Sequence, residues 1–85
     1  MRLDKYLKVS RLIKRRTVAK EMVDAGRVKI NGKIAKPGNE VKVGDELEIG
    51  FGQRQVIAQI LQIKESARAD EAAELYQLKE GAPID

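Results

Sequence analysis

Seven cations crowd the first sixteen residues: Arg2, Lys5, Lys8, Arg11, Lys14, Arg15 and Arg16. The chemistry open to such a cluster is the neutralisation of phosphate. Each Lys or Arg that meets a nucleic-acid phosphate releases condensed counterions, which adds affinity that falls as salt rises. Arg15 and Arg16 bring planar donors that can hold a phosphate with two hydrogen bonds at once. Lys20 lies one helical turn beyond Arg16, and Arg27, Lys29 and Lys33 continue the series. Residues 1–36 hold twelve Lys/Arg against three Asp/Glu, a net +9, while residues 37–85 hold five against ten, a net −5. That asymmetry points to one end facing a polyanion and an opposite end facing water. Taken singly, each cation could be half of an ordinary surface ion pair, Arg2 with Asp4 or Arg16 with Glu21. Taken together they argue for binding.

Catalysis finds little support. The chain has no cysteine and no histidine, which removes disulfides, thiolate zinc sites, thiol nucleophiles and the commonest general base. Asp45, Glu46 and Glu48 are close in sequence, but Glu46 and Glu48 alternate with Leu47 and Ile49 and so belong on the wet face of a strand. The glycines mark turns and spell neither a dinucleotide fingerprint nor a phosphate loop. No enzyme activity, metal or cofactor is expected. Aromatic residues are limited to Tyr6, Phe51 and Tyr76, too few for a base-stacking platform, so the implied mode is recognition of RNA shape and backbone.

The elements that must position these cations follow from periodicity. Leu3, Tyr6, Leu7 and Ser10 form an i, i+3, i+4, i+7 stripe, which predicts a helix from Arg2 to about Ser10 with Arg2, Lys5 and Lys8 off the stripe. Asp4 falls in its first turn, where the helix dipole favours negative charge. Arg11–Arg16 reads as a basic connector anchored by Leu12 and Ile13. Thr17 is the expected N-cap of a second helix reaching Ala25, and Gly26 stops it. From Arg27 the period becomes two: Val28 and Ile30, then Asn31-Gly32 as a hairpin turn, then Lys33–Lys36 returning. After the turn at residues 37–39, strands are expected at 41–43, 46–49 and 54–63. A helix is expected over 70–79, and residues 80–85 are expected to fray.

The sum is an α+β architecture, two N-terminal helices packed on a small, mostly antiparallel sheet, with a short C-terminal helix. The expected division is an RNA-binding domain at 1–64 and a short acidic helix and tail at 65–85. No apolar stretch is long enough for a signal-peptide core or a membrane span, so a cytoplasmic protein with no membrane partner is expected.

These residues also carry a resemblance. Arg2-Leu3-Asp4-Lys5-Tyr6-Leu7, Ser10-Arg11-Leu12, Arg15-Arg16-Thr17, Gly26-Arg27-Val28, Asn31-Gly32-Lys33 and Val43-Gly44-Asp45 together resemble the RNA-binding domain of ribosomal protein S-four, the αL motif. The likeness covers about residues 1–50. It implies two helices and a hairpin forming a positively charged surface for structured RNA. With nothing catalytic attached, the chain is most similar to stand-alone members. The stretch Met1–Arg16 looks like the RqcP group of ribosome-associated quality control. The fifteen-kilodalton heat-shock protein resembles it less, because that protein carries a longer basic extension where residues 65–85 are short and acidic here. The resemblance implies a monomer on the obstructed large ribosomal subunit, touching ribosomal RNA and peptidyl-tRNA. It also implies work alongside an RqcH-type factor that adds alanine tails. Carried over residue by residue, Arg2, Asp4 and Arg16 are the centre of the RNA surface, with Asp4 orienting the arginines. Two readings from other classes remain open at this point: a DNA-binding regulator using the helix pair, and a protein adaptor using the acidic helix.

Overall fold

Leu3, Tyr6, Leu7 and Ser10 are wholly buried, so the stripe predicted from spacing is the face that the first helix turns to the core. The structure, a computed structural model, describes residues 1–84. Its elements in chain order are α1 (Leu3–Val9), α2 (Arg16–Asp24), β1 (Val28–Ile30), β2 (Lys33–Ile34), β3 (Glu46–Phe51), β4 (Arg54–Ile60), α3 (Ala69–Ala72) and β5 (Tyr76–Glu80).

The strands form one antiparallel sheet in the order β2-β1-β3-β4-β5. Alternation decides its two faces. Val28, Leu47, Ile49, Val56, Ala58 and Ile60 are buried and pack against Leu3, Tyr6, Leu7, Ala19, Met22 and Val23 of the helices. Glu46, Glu48 and Gln59, one residue out of phase, stay partly in solvent. This is the expected α+β layering of helices on a sheet. The β1–β2 turn is set by Asn31 and Gly32, both at positive φ (50° and 85°), the two left-handed positions that an Asn-Gly hairpin turn requires.

Several expectations need correction. The strand expected over 54–63 ends at Ile60, and the returning strand expected over 33–36 ends at Ile34. Residues 41–43 form no strand. Val41 is buried as the alternation implied, but its N–H donates to the Met1 carbonyl at 3.0 Å, tying the segment to the start of the chain. The second helix starts two residues early, with Arg15 in extended geometry as its N-cap and no side-chain cap, so Thr17 lies inside the helix. The helix expected over 70–79 is confined to Ala69–Ala72, and Tyr76–Glu80 is instead the edge strand β5. Pairing with β4 outweighed a helical pattern of alanine and glutamate, whose propensity is worth only tenths of a kcal/mol per residue. Finally, residues 81–84 do not fray. Ile84 is buried, its N–H donates to Leu12 O at 2.7 Å, and its carbonyl accepts from Lys14 N at 3.0 Å. Residue 85, the last of that stretch, lies outside the described residues.

Candidate nucleic-acid interface

The site is built around the two helix starts. At the start of α1, the first N–H groups have no side-chain cap. They donate instead to backbone carbonyls of the loop after β2: Leu3 N to Asn39 O at 2.7 Å and Asp4 N to Pro37 O at 3.2 Å. Arg2 bridges Glu40 in antiparallel fashion, and a Cβ on Gly38 would sit 3.9 Å from the Arg2 guanidinium carbon. The turn at residues 37–39 therefore seats both the helix end and the Arg2 side chain.

Asp4 is almost withdrawn from solvent, its side chain only 6 % exposed, whereas those of Arg2 and Arg16 are 59 % and 58 % exposed. Arg2 approaches it with two nitrogens, Nε 3.3 Å from Oδ1 and Nη2 3.3 Å from Oδ2. Arg16 Nη2 lies 3.9 Å from Oδ2, and the Lys5 backbone N–H donates to Oδ1 at 2.8 Å. A carboxylate taken out of water needs such partners. The consequence is directional: one inner carboxylate holds two outer guanidiniums side by side, each with remaining donors turned to solvent. At the first turn of α2 no acidic residue offsets the helix dipole. Arg15, Arg16 and the first-turn N–H groups thus concentrate positive potential where an anion is favoured.

The other predicted cations divide by position. Lys5 is half-buried and ion-paired with Glu65 from the segment after β4, and that pairing pulls the Glu65 carboxyl below its usual range. Lys8 is exposed in the last turn of α1. Arg11 opens the connector in the left-handed region, φ 59°, and Lys14, exposed, sits beside Ile84. Lys20 is exposed on α2, one turn on from Arg16. Arg27 lies past the far end of α2, about a helix length from Arg16 (~1.5 Å per residue). The hairpin lysines part company. Lys33 pairs with Ile30 and shares its face, the helix side, while Lys29 pairs with Ile34 and Glu48 on the opposite face. The structure thus gathers Arg2, Asp4 and Arg16, arranges Lys5, Lys8, Lys14, Arg15 and Lys20 on the elements around them, and leaves Lys29 across the sheet.

Lys36 and Lys42 escaped the sequence reading of the site, which placed both on expected strands and counted neither among the cations of the surface. Both are exposed and flank the loop that seats Arg2; their place in the basic first half was the available signal. Of the aromatics, Tyr6 and Tyr76 are buried and only Phe51, at the β3–β4 turn, is substantially exposed. Tyr6 donates to Leu75 O at 2.8 Å, and burial, reinforced by Tyr76, pushes its hydroxyl pKa far up. Among the described residues, no cluster of His, Cys, Asp and Glu is arranged to hold a metal ion, and no helix is long and apolar enough to cross a membrane.

Comparison with known proteins falls on the same residues. The model of the S4 domain matches residues 1–47, which contain α1, α2, the β1–β2 hairpin and the Arg2–Asp4–Arg16 cluster. The chain belongs to the S4-domain family. It is 57 % identical to an RQC P-site tRNA stabilizing factor of Halalkalibacterium halodurans, over 99 % of this chain and 96 % of that protein. A Bacillus subtilis protein of the same name is 55 % identical over 92 % of this chain and 91 % of its own length. Among solved structures, a trimeric structure of Vibrio cholerae Heat Shock Protein 15 superposes with a TM-score of 0.84 at 36 % identity, covering 93 % of this chain and 81 % of that one. Within the S4-domain family this chain therefore stands with the quality-control factors, and the heat-shock proteins are its more distant kin.

Proposed function

We propose that this protein is a non-catalytic, cytoplasmic RNA-binding factor of ribosome-associated quality control. It acts as a monomer on the obstructed large ribosomal subunit, contacting ribosomal RNA and a peptidyl-tRNA in the P site. There it supports the addition of alanine tails to the stalled chain by an RqcH-type factor. The observation that carries the reading is the Arg2–Asp4–Arg16 cluster, in which a nearly buried carboxylate fixes two outward guanidiniums. Fixed, planar donors suit the phosphates of a folded RNA, whose spacing is itself fixed. High identity over nearly full length to proteins named as P-site tRNA stabilizing factors supplies the biological setting.

Co-sedimentation with large subunits across a salt series tests the proposal. Binding that survives moderate salt and is lost in Arg2→Ala and Arg16→Ala supports it. Equal affinity for random duplex DNA would sink it. A heat-shock-type role on free large subunits carrying nascent chains is the second reading, favoured by the backbone likeness to the Vibrio protein. Alanine-tail synthesis in a reconstituted reaction that rises on adding this protein decides for the first.

A further inference from the structure

We infer that residues 81–84 are a positioning element of the RNA surface, holding the Arg11–Arg15 connector by a backbone bridge at Ile84. This inference rests on the RNA-binding reading above and adds a residue range that composition gave no reason to include.

The connector is not helical, and its Leu12 and Ile13 side chains are wholly buried, so its polar groups need partners. Arg11 N–H donates to Lys8 O at 3.1 Å, Leu12 N–H to Ser10 Oγ at 3.3 Å and Ile13 N–H to Leu7 O at 3.2 Å, all toward α1. Two groups look the other way. Leu12 O accepts from Ile84 N at 2.7 Å, and Lys14 N donates to Ile84 O at 3.0 Å. Ile84 thus brackets Ile13 in a parallel bridge, immediately before Arg15, the N-cap of α2, and Arg16, the partner of Asp4. Arg11 enters this stretch at φ 59°, a conformation disfavoured for a residue with a side chain and held by its surroundings.

The bridge is itself anchored. Gly81 turns at φ +80°, and a Cβ there would lie 2.4 Å from the Gln55 carbonyl oxygen and 3.1 Å from Val56 Cα. No side chain fits that approach, so β5 can hand the chain over to the connector only through glycine. Ile84 then joins the core beside Ile13. The path from sheet edge to helix mouth is continuous: β5, Gly81, Ile84, the Leu12–Lys14 backbone, Arg15 and Arg16.

Two variants separate positioning from general destabilisation: a chain with residues 82–85 removed, and Ile84→Asp. Each is examined by amide hydrogen exchange and by large-subunit binding across salt. A protein that is merely less stable loses active fraction, but the bound fraction keeps its salt slope. Release of the connector withdraws phosphate contacts, so the slope of log K against log salt should fall by about one to two. The expected result is rapid exchange of the Lys14 amide, an affinity loss of roughly three- to thirtyfold between 50 and 200 mM salt, and the shallower slope. A Lys14 amide that stays protected without residues 82–85 overturns the bridge. Released exchange with an unchanged salt slope overturns the positioning role. If the unaltered chain binds no subunits, the RNA reading fails and takes the positioning role with it, while the exchange result still judges the bridge separately.

Discussion

Asp4 and Arg16 stand in the first turns of two different helices, and their side chains meet at 3.9 Å across the gap between them. Because Arg2 grips the same carboxylate, Asp4 is a shared anchor for two outward cations. Replacing it adds net positive charge, which favours any polyanion, and at the same time frees both guanidiniums, which disfavours a specific one. These effects have opposite signs and can be measured apart.

Asp4→Asn should therefore weaken binding to large subunits by about fivefold, the worth of about 1 kcal/mol of lost charge-assisted positioning. Affinity for random RNA should hold or rise. Parallel filter-binding titrations with subunits and with a random RNA pool check the two directions; a uniform fall on both would contradict the anchoring role.

Tyr6→Phe should cost about 1 kcal/mol or less, since the Tyr6 hydroxyl loses its bond to Leu75 O. That carbonyl keeps Leu61 N and Gln62 N as donors, so no acceptor is stranded. In a domain of this size the melting point should drop by roughly 4–8 °C per kcal/mol. The pH dependence has a definite sign. Burial raises the Tyr6 pKa in the fold, and that of Tyr76 as well. Their stabilisation is therefore complete below the unfolded value of about 10 and is lost as pH climbs above it. Urea midpoints between pH 8 and 11 should decline at the alkaline end, less steeply in Tyr6→Phe.

Glu65→Gln tests the ion pair over Lys5. Glu65 is in solvent at 82 % exposure and Lys5 is half-buried, and pairs with so exposed a partner contribute little. The melting point should move by less than about 2 °C. Affinity for large subunits at low salt should rise, by roughly twofold, because one negative charge leaves the edge of the basic surface. Surface binding at 50 and 200 mM salt checks this, and the gain should shrink at the higher salt.

Asn31→Ala should be the most damaging change at an exposed position. Asn31 holds φ 50°, its Nδ2 donates to Asp45 Oδ1 at 3.0 Å, and its Oδ1 accepts from Glu46 N at 2.9 Å. Loss of left-handed tolerance and two hydrogen bonds together should cost about 2 kcal/mol. A urea titration that shows no shift in midpoint would refute the estimate.

The legible part of this fold is the part governed by local pattern. Leu3, Tyr6 and Leu7 at helical spacing, Asn31-Gly32 between alternating residues, and Leu47 and Ile49 against Glu46 and Glu48 each state their structure within a few residues. What stayed hidden is set by partners far along the chain. Val41 is not in a strand because its N–H goes to Met1, Tyr76–Glu80 is a strand because β4 has a free edge, and Ile84 is ordered because Leu12 and Lys14 need partners. At the site, charge alone picked out the cations. It did not tell Lys29 from Lys33, since which side of a sheet a lysine takes depends on hairpin register.

Edge strands bring a hazard that this sheet contains. An open row of backbone donors and acceptors can template pairing with another molecule. Here β2 is only two residues long, too brief to seed such pairing. β5 places Lys79 and Glu80 along its rim and then turns sharply at Gly81. The same glycine that sends the chain toward the helices also cuts the rim short, so a crowded solution offers neighbouring copies little edge on which to grow aggregates.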